Sequence, residues 1–351
     1  MNKRKLLIMP ALAIAAALFL LASLSGSGMA YQEMPGKGKS VRPARASWTT
    51  GFILEAIYTR GLEELGYEVE RRKELSNPIF YQALVNGDVD FWANGWFPLQ
   101  NEQLPENFEE KASLVGYVVK RGALQGYLAS KEHIQKYDIT SLGDFKRPEV
   151  KKAFDANGDG KADMVACPPG WGCETKIKHH MDVYNLRDHI NLIKANYSAG
   201  MADAITRYKQ GQPVLFYTWT PNWTVNKLQP GKDVQWINVP AIIPTEGQRG
   251  LEKAMVAKGM GEDAVTDPIK MGFVANDIRV AANNEFLANN PAATKFFEVM
   301  EVSLQDIAAQ NEKMFEGEDD QEDIERHAEE WIKTNQDFWD RCLGEARAAA
   351  N

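Results

Sequence analysis

The sequence predicts an α/β fold. Three observations carry this. Short β-branched and aromatic runs alternate with stretches at helical spacing, glycine and Asn-Gly punctuate the joins, and tryptophans flanked by glycine or proline fall near predicted strand ends. A strand-like piece around Val41 follows a linker at 31–39 and leads into a helical pattern. Phe52, Ile53, Ala56, Ile57, Leu62 and Leu65 share one face, and Gly66 stops the run. A strand at 67–70, a helix near 80–85 closed by Asn86-Gly87, and a strand at 89–93 come next. This strand–helix order indicates a sheet with helices against it and ligand contacts at strand ends.

A second unit starts near Leu124. It holds a helix from an N-cap at Ser198 through Ala202, Ile205 and Tyr208 to a stop at Gly211. A strand at 214–217 runs into Thr218-Trp219-Thr220-Pro221, and another covers 236–239. After Ile242 the chain returns to the first unit, where Phe273–Ala275 and Val280 add a strand. The C-terminal third is helical, with Ile324, Ala328, Trp331, Asn335, Phe338, Trp339 and Cys342 near one face. The acidic run 316–325 reads as a solvated loop and helix start. The organisation is therefore a signal peptide at 1–30, a first lobe at 31–123, a second lobe at 124–241, and a return at 242–351 with C-terminal helices.

The compartment decides what the cysteines mean. Lys3, Arg4 and Lys5 precede an apolar run from Leu6 to Leu24, and Ser25-Gly26-Ser27-Gly28-Met29-Ala30 follows. That is the order of an export signal cleaved near Ala30, which implies a periplasmic product. An uncleaved anchor is the alternative. Loss of the three cations takes the formal charge from −8 to −11. That balance argues against nucleic acid and anionic membrane surfaces as partners.

An exported chain keeps disulfides. Cys167-Pro168-Pro169-Gly170-Trp171-Gly172-Cys173 brackets a turn that pushes one indole outward, with a helical pattern directly after it. Cys167 and Cys173 are the natural pair, and Cys342 is left over. So short a loop yields only about 2–2.5 kcal/mol on the entropy model, so the bridge matters more for the shape of the turn. A zinc site is the weaker reading, because no cysteine or histidine partners lie at metal spacing. His179 and His180 read as surface or packing residues. An indole at a helix N-terminus offers a π-face to a cation and backbone N–H groups to an anion, which suits a small zwitterion.

Trp96 in Asn94-Gly95-Trp96-Phe97-Pro98, Trp171 and Trp219 share the Gly/Pro-flanked signature, and two of them follow predicted strands. The plainer reading is that each ring caps a core. Here the chain resembles the periplasmic glycine betaine/proline betaine-binding proteins of ABC importers. The carriers are Phe154-Asp155-Ala156-Asn157-Gly158-Asp159-Gly160-Lys161-Ala162-Asp163, Pro169–Glu174 and Tyr217–Pro221, with support from Gly231–Val234 and Pro291–Ala293. The resemblance spans roughly 35–349. It implies a two-lobed periplasmic-binding-protein (venus-flytrap, type II) fold with the ligand cleft between lobes. It also implies an aromatic box of Trp96, Trp171 and Trp219 for a trimethylammonium group, and carboxylate contacts from the backbone of Gly172 and Cys173. Close relatives place a histidine four residues after the first box tryptophan; here it is Gln100, which donates a hydrogen bond but carries no charge.

Asp155, Asn157, Asp159, Gly160 and Asp163 match positions 1, 3, 5, 6 and 9 of a calcium loop, but position 12 is Ala166 rather than glutamate. The segment reads either as a polar turn or as a structural calcium site; no other cofactor is implied. The leading function is a monomeric solute-binding protein that delivers betaine-type osmolytes to an ABC permease for osmoprotection. Choline, carnitine and dimethylsulfoniopropionate are alternative ligands, and a sensory receptor using the same cleft is an alternative role. An enzyme is not expected: no G-x-S-x-G elbow is present, and no histidine sits in a nucleophile motif.

Overall fold

Two sheets organise the chain. The coordinates are a computed structural model that describes residues 34–194 and 196–350. Pro35–Asn351 forms one unit; the unit before it, with the export-signal reading, lies outside the described residues except for Met34. The strands used below are, in chain order, β1 (Phe91–Phe97), β2 (Ala112–Ala123), β3 (Gln125–Ser130), β4 (Ala162–Val165), β5 (Ile190–Ile193), β6 (Leu215–Trp219), β7 (Val234–Ile237) and β8 (Asn276–Asn283). The three-stranded sheet has the order β1-β8-β2 and is antiparallel throughout. The five-stranded sheet has the order β7-β3-β6-β4-β5. Within it β3 is antiparallel to β6 and β7, whereas β6, β4 and β5 run parallel. The architecture is α/β and two-lobed.

The chain passes from one sheet to the other at Leu124, between β2 and β3. The end of β6 is tied to this crossing. Thr220 N–H donates to the Leu124 carbonyl at 2.9 Å, and Leu124 N–H donates to Thr220 Oγ1 at 3.2 Å. The strand expected at Phe273–Ala275 and Val280 forms as β8, which starts three residues later than Phe273. It takes the centre of the three-stranded sheet, and Ile278, Val280, Ala281 and Ala282 are fully buried there. Apolar side chains from this run fall on both faces of the sheet, as expected of a strand covered on both sides.

The helices that matter for the site are α1 (Thr50–Glu64), α2 (Asn77–Asn86), α3 (Gly172–Val183), α4 (Tyr197–Lys209), α5 (Leu304–Phe315), α6 (Gln321–Thr334) and α7 (Gln336–Ala348). Helix α1 packs on β1 and buries Ile53, Leu54 and Ile57. Helix α2 ends at Gly87 with φ +77°, the left-handed stop that the Asn86-Gly87 pair predicts. The N-cap of α4 is Asn196 rather than Ser198: its Oδ1 accepts from Ala199 N–H at 3.0 Å. The single C-terminal face breaks at Asn335, which closes α6 and opens α7. No helix among the described residues is long and apolar enough to cross a membrane.

Candidate ligand-binding site

The three sequence-predicted tryptophans line one common cavity. Its lining comprises Trp48, Trp96, Leu99, Gln100, Gln125, Trp171, Gly172, Cys173, Tyr217 and Trp219. Trp96 lies within β1 rather than after it, and Trp219 is the last residue of β6. One indole therefore comes from the three-stranded sheet and one from the five-stranded sheet. Trp171 comes from the start of α3, where it is the N-cap in an extended conformation (φ −80°, ψ 151°). Gly170 before it has φ +87°, a backbone region that glycine enters without a Cβ penalty. The Cys167–Cys173 disulfide closes the same turn, with Cα atoms 6.3 Å apart.

Two of the three rings stand against each other. Trp171 and Trp219 have centroids 5.5 Å apart at 82°. Tyr197 backs both, 4.8 Å from Trp219 and 6.0 Å from Trp171. Each indole N–H is spent on the protein. Trp96 Nε1 donates to Asn94 Oδ1 at 2.8 Å, Trp171 Nε1 to Ser47 Oγ at 3.1 Å, and Trp219 Nε1 to Thr50 Oγ1 at 3.2 Å. With their polar edges satisfied, the rings are held in orientation and present π-faces.

Polar groups line the same cavity. The first-turn N–H groups of Gly172 and Cys173 have no acceptor inside their helix. Gly172 sits so close to the neighbouring turn that an added Cβ meets Leu99 Cδ2 at 3.1 Å and Gln100 Cγ at 3.3 Å. Gln100 is 2% exposed. Its Oε1 accepts from Trp96 N–H at 3.0 Å and from Tyr81 OH at 2.5 Å. A backbone N–H only donates, so the atom facing Trp96 is the amide oxygen, and the amide nitrogen is left as the free donor. Gln125 Oε1 accepts from Tyr217 OH at 2.7 Å.

Sequence reasoning missed Trp48, Leu99, Gln125 and Tyr217. Trp48 is 7% exposed, lies 5.5 Å from Trp171, and stacks edge-on to Trp92 at 5.7 Å. The signal was present: Trp48 stands between the short strand Ala44–Ala46 and α1, the same strand-end setting as the others. No charged side chain lines the cavity. Its one titratable group is Tyr217, whose hydroxyl burial pushes well above the usual phenol range, so it stays neutral.

The acidic loop lies elsewhere. Asp155 turns its carboxylate to Gly158, Asp159 and Gly160 N–H, at 2.7, 3.1 and 2.9 Å. Buried Asp163 accepts from Ala156 and Asn157 N–H at 3.0 and 3.1 Å and from Asn191 Nδ2 at 2.8 Å. Asn157 Oδ1 accepts from Asp159 N–H at 2.8 Å, and Asp159 Oδ1 accepts from Lys161 N–H at 2.9 Å. These bonds define a polar turn. Among the described residues, no group of three or more histidine, cysteine or acidic residues is placed to hold a metal ion.

Comparison with known proteins identifies the family. The profile of the substrate binding domain of ABC-type glycine betaine transport systems matches residues 39–334. The glycine betaine-binding periplasmic protein OusX of Dickeya dadantii is 39% identical over 335 residues, covering 95% of this chain and 98% of that protein. The glycine betaine/proline betaine-binding periplasmic protein of Escherichia coli is 38% identical over 317 residues, 90% of this chain and 93% of its own. In fold, the chain is similar to lactococcal OpuAC in its closed-liganded conformation with glycine betaine (TM-score 0.63, 19% identity, 87% of this chain and 99% of that one). It is also similar to a glycine betaine/L-proline-binding protein of Borrelia burgdorferi (TM-score 0.67, 17% identity, 89% and 100%). This family consists of solute-binding transport components rather than enzymes. The chain belongs to the family of substrate-binding domains of ABC-type glycine betaine transport systems.

Proposed function

We propose that this protein captures glycine betaine or proline betaine in the indole-lined cavity and delivers it to an ABC permease as a periplasmic monomer. The observation that carries the reading is one cavity bounded by four indoles and by the open N–H groups of a helix start, with no charged side chain. A quaternary ammonium has no proton to donate, so hydrogen-bonding groups cannot recognise it; the faces of Trp96, Trp171 and Trp219 can. Each desolvated cation–π contact supplies about 2 kcal/mol. The ligand carboxylate is taken by the N–H groups of Gly172 and Cys173 and by the Gln100 amide nitrogen. Micromolar affinity needs about 8 kcal/mol net, so neither end suffices alone.

The missing charge also sorts the candidate ligands. A betaine brings its own counter-charge. Choline would bury a net cation with nothing opposite in the lining, and an unpaired buried charge is costly. Titration calorimetry with a ligand panel tests this. Glycine betaine or proline betaine binds at least tenfold more tightly than choline on this reading. Equal or tighter binding of choline overturns it.

A further inference from the structure

Outside the cavity lining, one part-buried ion pair joins two of the elements that supply its polar groups; Lys176 is its buried member, whereas the Glu102 side chain keeps 24% of its surface exposed. Lys176 lies one turn along α3 from Gly172, and its side chain is 2% exposed. Its ammonium meets Glu102 Oε1 at 2.8 Å and also hydrogen-bonds Thr245 Oγ1. Thr245 in turn donates to Glu102 Oε1 at 2.5 Å. Glu102 stands two residues past Gln100 on the single 3-10 turn Leu99–Gln103. Lys176 thus belongs to a helix of the five-stranded half, and Glu102 to the turn that follows β1 of the three-stranded sheet. The two elements approach closely at the ligand end as well, where Gly172 lies against Leu99 and Gln100.

The energetics make this contact conditional. An ammonium buried this deeply is costly unless paired and hydrogen-bonded, and here it is both. Burial pushes the Lys176 ammonium below its usual range, while Glu102 opposes that shift. Burial raises Glu102 in isolation, but its hydrogen bonds from Lys176 and Thr245 outweigh this and hold it low. Separating α3 from the turn would return the buried Lys176 ammonium to water and part it from the partly exposed Glu102, so the pair forms only when the elements meet.

We infer that Lys176 and Glu102 are positioning residues for ligand capture. Their pair clamps the start of α3 against the Gln100 turn, so that the Gly172, Cys173 and Gln100 donors face one ligand together. The inference rests on the proposed function for the identity of the ligand, but not for the clamp itself.

The test uses Lys176→Met, Glu102→Gln and the double variant, with glycine betaine as probe and stopped-flow tryptophan fluorescence as readout. Each single change weakens binding at least tenfold, mainly through faster dissociation, and the double variant is no worse than the poorer single. A pair that is only structural lowers Tm and leaves Kd within twofold. That outcome, or single losses that multiply in the double variant, overturns the inference. If the unaltered protein does not bind glycine betaine, the functional reading fails instead. The clamp is then read without ligand, from single-molecule energy transfer between dyes on the two sheets. Each single variant lowers the closed-to-open ratio at least fivefold, and an unchanged ratio refutes the clamp.

Discussion

The indole N–H of Trp219 donates to Thr50 Oγ1 at 3.2 Å, linking the last residue of β6 to the first residue of α1. A wall of the cavity that belongs to the five-stranded sheet is therefore oriented by a hydroxyl on a helix packed against the other sheet. Trp171 repeats the relationship with Ser47. Both bonds exist only while the two halves meet, so they favour the assembled cavity over a separated one. Thr50→Val keeps the shape and leaves the buried indole N–H unpaired, a penalty of about 1–3 kcal/mol. Glycine betaine affinity by calorimetry falls fivefold or more, and unchanged affinity removes the bond from any role in capture.

Truncating single indoles tests the aromatic wall. Trp171→Ala removes a ring that faces Trp48, Tyr197 and Trp219. Trp171 is half-buried in a turn held by a disulfide, so the fold tolerates the change. Loss of one cation–π contact of about 2 kcal/mol corresponds to at least a tenfold weaker Kd. Trp48→Ala lowers affinity in the same direction if the fourth indole borders the ligand. Circular dichroism separates either effect from unfolding, and a Trp48→Ala protein with unaltered Kd leaves Trp48 as packing on Trp92 only.

How much of this was legible in the sequence depended on range. The Trp171 turn was readable because seven consecutive residues encode it: prolines and glycines bend it, and two cysteines close it. Trp96 and Trp219 were readable through their Gly/Pro flanks, though not their placement inside strands, because a strand's end is decided by its neighbour's register. Trp96 pairs with Ile278, more than 180 positions on. The helix break at Asn335 left no trace, since apolar spacing continues across it on both sides. Ser198 and Asn196 both suit an N-cap, and only the backbone geometry separates them. Trp48 and the lock on the Gln100 amide escaped for the same reason: their partners, Trp171 and Tyr81, come from other elements.

That lock makes Gln100 testable by charge. Its oxygen is engaged by Trp96 N–H and Tyr81 OH, which leaves the amide nitrogen for the ligand carboxylate. Gln100→Glu keeps the acceptor and replaces the donor with negative charge. Glycine betaine binding falls at least tenfold at pH 7 and recovers as the pH drops through the carboxylate range and the new group is protonated. Choline, a net cation, gains affinity in the same variant. Calorimetry at two pH values reads both effects, and an unaltered betaine Kd at pH 7 removes Gln100 from the site.

Acid stability turns on a histidine outside the cavity. His180 is fully buried on α3; its Nδ1 pairs with Tyr127 OH at 2.8 Å, and the ring also hydrogen-bonds the Gly272 backbone. Burial drives its pKa down to about 3 from 6.5, with the neighbouring His179 adding to the shift. The folded state thus holds His180 neutral where the unfolded chain protonates it. For a depressed histidine the stabilisation is complete above pH 6.5 and is lost as the pH falls toward 3, on the order of 5 kcal/mol at the extreme. His180→Gln removes the titration and retains a hydrogen-bonding side chain. Urea unfolding at pH 7 and pH 4.5 reads the difference. The unaltered protein loses more stability between the two pH values than the variant does, and equal losses show that His180 does not set the acid limit.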